Sequence, residues 1–216
     1  RIFHVAKKIY NSIDNAALDL KIIEDSSKLS KNDLCSEIVY EFPELQGLMG
    51  GKYLKNEGFS DEISLAVSEQ YLPRFSKDEI PSSKYGAILS IADKLETLIS
   101  IYVIGKRPSG SSDPFALRRN LNGILQIIWH YNFDFDLEVL ILSLIDYWSK
   151  SLNNQDFDYK RVKKDLIDFV FQRNLSFLED LSIEKDWIKA IANSKNVPQN
   201  RVFNLIEIKK RINIFN

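Results

Sequence analysis

The sequence predicts an all-α protein, on two observations. Apolar residues recur three and four positions apart in segment after segment, which puts them on one face of a helix. No stretch alternates apolar and polar residues as a half-buried strand would, and no internal repeat or low-complexity linker interrupts the pattern. In chain order, Ile2, Val5, Ala6, Ile9 and Ile13 mark an amphipathic helix with Lys7 and Lys8 outward, and Ala16, Ala17, Leu20 and Ile23 mark a second. Leu29, Leu34, Ile38 and Phe42 suggest a third, ended by Pro43. Pro43 with Gly47, Gly50 and Gly51 then suggests a bend over residues 41–51. Ser60 is placed to cap a helix that opens with Asp61 and Glu62 and turns Ile63, Val67 and Tyr71 to the core.

Pro73 cannot continue that helix, and Pro81-Ser-Ser83 is placed to cap the most apolar one, roughly residues 84–104. Its face carries Ile88, Ile91, Ala92, Leu95, Ile99 and Tyr102, and Gly105 supplies a left-handed stop. Asp113 is expected to cap the next helix, with Pro114 at its first position, Leu117, Leu121, Ile124, Leu125 and Ile128 on its buried face, and an end near His130. Asp136 starts another, through Leu137, Leu140, Ile141, Leu144 and Trp148. Beyond the polar loop 151–158, Val162, Leu166, Phe169, Val170, Phe177 and Leu178 mark a long helix, and Trp187, Ile188 and Ile191 a short one. A last helix runs from Pro198 and carries the cluster Lys209-Lys-Arg211. The Gly/Ser-rich loop 105–112 is the expected boundary between a helical domain, 1–104, and a second helical bundle, 105–216.

Composition limits the function. Net charge is −1, so an RNA partner must be met by a local basic patch, not by the field of the whole molecule. Cys35 is the only cysteine, which excludes an internal disulfide and a multi-cysteine zinc site and fits a reducing, cytoplasmic compartment. No apolar run reaches membrane-spanning length. Arg1 as first residue and Met49 as sole methionine suggest an internal piece of a longer protein.

Three groups of residues could carry chemistry. Lys106 and Arg107 in the loop, with Arg118 and Arg119 in the second turn of the following helix and Arg74 as a fifth member, offer forks that match phosphate. The alternative is arginines paired with Asp or Glu between helices. Tyr71 and Phe75 flank Pro73 and Arg74, placed either to stack on bases or to clamp a turn. Lys209-Lys-Arg211 could touch RNA or merely complement a helix end, and Trp129, Trp148 and Trp187 are expected on buried faces. The third group is Asn32-Asp33 with Asp93. The segment Leu29-Ser-Lys-Asn-Asp-Leu34 with Ile91-Ala-Asp-Lys94 resembles HD-type metal-dependent phosphohydrolases, which hold a cation with His, a His-Asp pair and a distant Asp. Asn32 and Arg1 stand where that family has histidines, and His4 is one turn away from the second of these positions. The expectation is therefore an HD-like scaffold without its metal, with Asp33 and Asp93 as vestiges serving as caps or ion-pair partners. No ATP-binding motif and no activated thiol are visible.

Four blocks then stand in order: Glu41-Phe-Pro-Glu-Leu-Gln-Gly-Leu-Met-Gly50, Glu69-Gln-Tyr-Leu-Pro-Arg-Phe75, Ile91-Ala-Asp-Lys-Leu-Glu-Thr-Leu98 and Asp113-Pro-Phe-Ala-Leu-Arg-Arg119. Together they closely resemble the beta subunit of bacterial glycyl-tRNA synthetase, and Asp165-Leu-Ile-Asp-Phe-Val-Phe-Gln-Arg173 still fits. The resemblance implies part of a heterotetrameric ligase of two alpha and two beta subunits. It implies that ATP and Mg are handled with glycine in the alpha subunit, and that the beta subunit binds tRNA(Gly). This chain would then hold no cofactor and no catalytic residue, and its partners would be tRNA(Gly), the alpha subunit and the remainder of the beta subunit. The resemblance also implies an HD-like domain followed by the start of an anticodon-binding domain. The family's closing Ala-Asn-Lys-Arg segment is absent before Asn216, so that second domain is expected to be incomplete.

Overall fold

A computed structural model of the chain describes residues 1–109, 112–151, 158–184, 186–187 and 204–215. Among the described residues there is no strand or sheet, only an isolated antiparallel bridge between Ser109 and Ser112. The protein is all-α. Its helices are α1 (Ile2–Ser12), α2 (Leu20–Leu29), α3 (Glu37–Glu41), α4 (Leu48–Asn56), α5 (Asp61–Glu69), α6 (Lys84–Val103), α7 (Leu117–Tyr131), α8 (Leu137–Ser151), α9 (Tyr159–Asp180) and α10 (Leu205–Phe215). They form two compact units, Arg1–Glu96 and Thr97–Asn216, which divide within α6.

In the first unit, α4 and α5 pack side by side because two glycines let them. A Cβ on Gly51 would lie 1.8 Å from Ser68 Oγ and 2.4 Å from the Ser64 carbonyl oxygen, so only glycine fits there. Leu54, Ile63, Ala66, Val67 and Leu89 form the core beneath, with Ile2, Ile22, Leu29 and Tyr85 against it. α5 opens as expected, Ser60 Oγ accepting from the Ile63 N–H. α6 buries nearly all of its circumference, including Leu89, Ile91, Ala92 and Leu95, as an all-round apolar helix must.

The expected third helix is broken. Lys31 takes a left-handed conformation (φ 68°), residues Asn32–Cys35 form a 3-10 turn, and α3 is only five residues long. Of its expected apolar face, Leu34, Ile38 and Phe42 are exposed, and Val39 is the residue that turns inward. Residues 41–51 are not simply a bend either. Gly47 makes the turn, with φ 80°, but Gly50 and Gly51 lie inside α4, where they serve close packing. The second helix starts at Leu20, after a turn at Ala16 and Ala17, and Tyr71 lies past the end of α5.

In the second unit, the buried residues include Leu117, Leu121, Ile124, Leu125 and Ile128 of α7, Leu140, Ile141 and Leu144 of α8, and Val162, Leu166, Val170 and Leu178 of α9. The Asp113 cap is real, its two carboxylate oxygens accepting from the Leu117 and Arg118 N–H groups at 2.8 and 2.9 Å. Pro114 is not the first helical residue, however. It sits in a turn closed by the Ala116 N–H on the Asp113 carbonyl, and left-handed Ala116 leads into the helix. Arg118 and Arg119 therefore lie in the first turn of α7, not the second. Trp148 is buried, whereas Trp187 is 37% exposed. Gly110, Ser111, most of the loop 151–158, Ile188, Ile191 and the helix start at Pro198 lie outside the described residues.

Candidate functional site

In the first unit the HD-like positions are taken up by the protein itself. Asp33 is 2% exposed, and its Oδ2 accepts from the backbone N–H groups of Gly47 at 2.6 Å and Gly50 at 3.1 Å. It thus caps the N-terminus of α4, where a carboxylate meets unpaired donors and the positive end of the helix dipole. A Cβ on Gly50 would lie 3.2 Å from that oxygen, so the glycine admits the carboxylate. Asp93 forms an ion pair with Lys31 at 2.7 Å. The Lys31 ammonium lies 5.1 Å from the centre of the Tyr71 ring. Burial would lower this ammonium's pKa, but Asp93 outweighs that effect and the net shift is upward. Burial pushes the Tyr71 phenol up as well.

These residues do not fit a metal. One carboxylate faces two backbone donors, the other faces a lysine, Asn32 is exposed, and Arg1 pairs with Glu96 at 2.7 Å. Among the described residues no three His, Cys, Asp or Glu side chains are grouped to hold an ion.

Two further buried charges, unremarked in the sequence reading, complete this region. Lys94 is 5% exposed and donates to the carbonyl oxygens of Tyr71 and Leu72, both at 3.0 Å, and to Ser90 Oγ at 2.7 Å. Burial, only partly opposed by Asp93, pushes the Lys94 ammonium down to about 8. Glu69, also buried, accepts from the N–H and Oγ of both Ser82 and Ser83. Ser83 Oγ in turn accepts from Gly86 N–H and caps α6. A Cβ on Gly86 would lie 2.3 Å from Glu69 Oε2, so this glycine too makes way for a carboxylate. Spacing alone could not reveal Glu69 or Lys94 as anchors, because the loop groups they hold, Ser82 and Ser83 for Glu69 and the Tyr71 and Leu72 carbonyls for Lys94, lie 13 to 23 residues away.

The basic residues part company. Arg74 donates to Asp78, whose carboxyl that bond holds below its ordinary range. It belongs to the first unit, whereas Lys106, Arg107, Arg118 and Arg119 belong to the second. Arg107 is an ion-pair partner of Asp165 on α9 at 2.7 Å and covers the Tyr102 ring at 5.7 Å. Arg118 is half-buried beside it, in a surface groove of about 710 Å³ that also takes in Phe169 and Arg173. Lys106 and Arg119 are exposed. Phe75 is exposed too, and so does not clamp its turn, while Tyr71 is half-buried beneath Lys31. Lys209 donates to the Trp129 carbonyl and to Asn132, and Lys210 pairs with Asp134, so both tie α10 to the end of α7.

A family model described as "Glycyl-tRNA synthetase beta subunit" matches residues 1–193. The chain belongs to the glycyl-tRNA synthetase beta subunit family. It is similar to the glycine–tRNA ligase beta subunit of Trichodesmium erythraeum, 35% identical over 214 residues, which are 98% of this chain and 29% of the relative. It is 40% identical to that of Psychromonas ingrahamii over 173 residues (78% of this chain, 24% of the relative). With that of Alteromonas mediterranea it shares 42% identity over 164 residues (76% and 23%). The chain thus spans less than a third of the length of these glycyl-tRNA synthetase beta subunits. No helix among the described residues is long and apolar enough to cross a membrane.

Proposed function

We propose that this chain is a tRNA-contacting and shape-holding part of a glycine–tRNA ligase beta subunit, working in an assembly of two alpha and two beta subunits that joins glycine to tRNA(Gly). Family membership supports the ligase, and the names of the relatives supply its substrate and subunit type. The observation that carries the RNA contact is the pair of exposed cations, Lys106 and Arg119, on either side of the Asp113 cap. Arg118, half-buried in the groove next to Arg107, is tested together with them, and Arg107 and Arg74 hold carboxylates. Activation of glycine with ATP and Mg is assigned to the alpha subunit, and this chain supplies no catalytic group. A second reading, a helical scaffold that ignores RNA, is favoured by the Arg107–Asp165 ion pair that fastens the loop to α9.

The test is a set of alanine substitutions at Lys106, Arg118 and Arg119 in the full ligase. Each lost phosphate contact should lower the slope of log affinity for tRNA against log salt by about 0.7–0.9. Glycine activation without tRNA should be unchanged. Earlier melting with an unchanged slope would refute the RNA contact and favour the scaffold.

A further inference from the structure

Two carboxylates, a phenol and two ammonium groups come together in the first unit, and their charges balance. Asp33 and Asp93 are both buried, and the Lys94 ammonium is committed to the Tyr71 and Leu72 carbonyls and to Ser90. The other ammonium is that of Lys31, 2.7 Å from Asp93 Oδ1 and 5.1 Å from the centre of the Tyr71 ring. We propose that this place beside Asp93, Tyr71 and Asp33 is a site for a primary ammonium ion, which the chain fills with its own Lys31 in place of a dissolved cation. Nothing in this site depends on the ligase reading.

The backbone shows that this side chain is needed where it stands. Lys31 has φ 68° and ψ 4°, a left-handed conformation that glycine adopts freely and that a residue with a Cβ adopts only at a cost. What the position gains is the reach of its Nζ to Asp93, sixty-two residues on. Gly47 brings Asp33 into the same cluster. Asp33 Oδ2 accepts from the Gly47 N–H, and a Cβ on Gly47 would lie 2.9 Å from Tyr71 Cδ2. The second oxygen, Asp33 Oδ1, is buried without a hydrogen-bond partner. Burial raises the Tyr71 phenol, Lys31 opposes that rise, and Asp93 and Asp33 both add to it, so the two carboxylates act on one ring.

Donor chemistry selects the ion. A divalent metal asks for about six oxygen ligands at roughly 2.0–2.6 Å. Here one Asp33 oxygen is already held by two backbone N–H groups, and among the described residues no third carboxylate or imidazole joins the pair. A primary ammonium asks for less. One carboxylate oxygen at hydrogen-bond distance takes its N–H, and the face of an aromatic ring attracts its charge. With Lys31 removed, two buried carboxylates would face Lys94 alone, and buried charge without a partner draws in a counter-ion. The Lys31 side chain is 35% exposed, so the place it fills is open to an ion from solution.

Chemical rescue tests the site in the 216-residue chain. Lys31→Gly removes the ammonium and keeps the left-handed turn without strain. Ethylammonium chloride should raise the melting temperature of this variant saturably, by about 3–6 °C at about 100 mM for a Kd on the order of 10 mM. Tetramethylammonium chloride at the same ionic strength has no N–H to offer Asp93 and should not. The parent, and Lys31→Gly combined with Asp93→Asn, should respond alike to the two salts. An equal rise with both salts in Lys31→Gly is screening and overturns the proposal, as does a flat response to both. An ethylammonium response that survives Asp93→Asn also overturns it, because the site is then elsewhere. A rise with millimolar magnesium chloride that ethylammonium does not reproduce overturns it in favour of a metal. Lys31→Asn, whose short side chain also tolerates the left-handed turn, is the second variant where Lys31→Gly does not fold by itself. Helical circular dichroism that returns to either unfolded variant with ethylammonium, and not with tetramethylammonium, supports the site. Variants that stay unfolded in both salts overturn it.

Discussion

Replacing Asp33 distinguishes a structural carboxylate from a catalytic remnant. In the parent, one carboxylate oxygen receives the N–H groups of Gly47 and Gly50, and both glycines are buried. Asp33→Ala would leave both donors without a partner in a place water does not reach. Each orphaned donor costs about 1–3 kcal/mol, and the lost charge at the N-terminus of α4 adds about 0.3–1 kcal/mol, so the total is on the order of 2–7 kcal/mol. Asp33→Asn keeps an acceptor oxygen and loses only the charge, for a cost of about 1–2 kcal/mol. Urea unfolding of the 216-residue chain at neutral pH gives the stability change, and hydrogen exchange at the Gly47 and Gly50 amides locates it. The graded order parent, Asn, Ala is the signature of a cap. A metal-dependent phosphohydrolase would behave in the opposite way, with Asn abolishing activity and metal binding while stability stayed at the parent value. An Asp33→Ala protein that unfolds at the parent's urea concentration refutes the capping argument outright.

Two further outcomes follow from the same buried region. Leu95→Ala, at a fully buried position of α6, should cost about 2–5 kcal/mol, and an unchanged denaturation midpoint would mean that this face of the helix is not core. Lys94 should make stability depend on alkaline pH: burial lowers its folded pKa to about 8 from the model-peptide value of 10.5, so between those values the unfolded chain binds more protons and stability rises with pH. The difference in unfolding free energy between the parent and Lys94→Met should therefore grow in favour of the parent from pH 8 to pH 10, and a difference that stays flat would contradict the depressed pKa.

The sequence revealed the elements whose signals are local. The apolar faces of α6 and α7, the Ser60 and Asp136 caps and the stop at Gly105 depend on neighbours a few residues away, and the structure has them. What it hid was decided at long range. Lys31 leaves helical geometry where it reaches Asp93, sixty-two positions on, and no periodicity records that pull. Gly50 and Gly51 suggested a turn because glycine commonly marks one, yet their absent side chains admit Asp33 and α5. Pro114 follows a residue that does cap α7, but the chain makes a turn before the helix begins. At the basic loop the residue types were legible and the partners were not, since Asp165, which holds Arg107, lies on a different helix.

The same distinction explains why the family's blocks look catalytic without converging on a site in the described structure. Asp33 holds the Glu41–Gly50 block by the N-terminus of α4. Glu69, within its own block, fastens the end of α5 to the start of α6. Lys94, within the next block, gathers the carbonyl groups of Tyr71 and Leu72, and Asp93 beside it fixes the left-handed Lys31. Each of these charges is buried, and removing one partner of a buried charged contact costs several times what an exposed pair contributes. Side chains of this kind resist substitution by the same residue types that catalysis requires, Asp, Glu and Lys, because both roles need a charge held away from water.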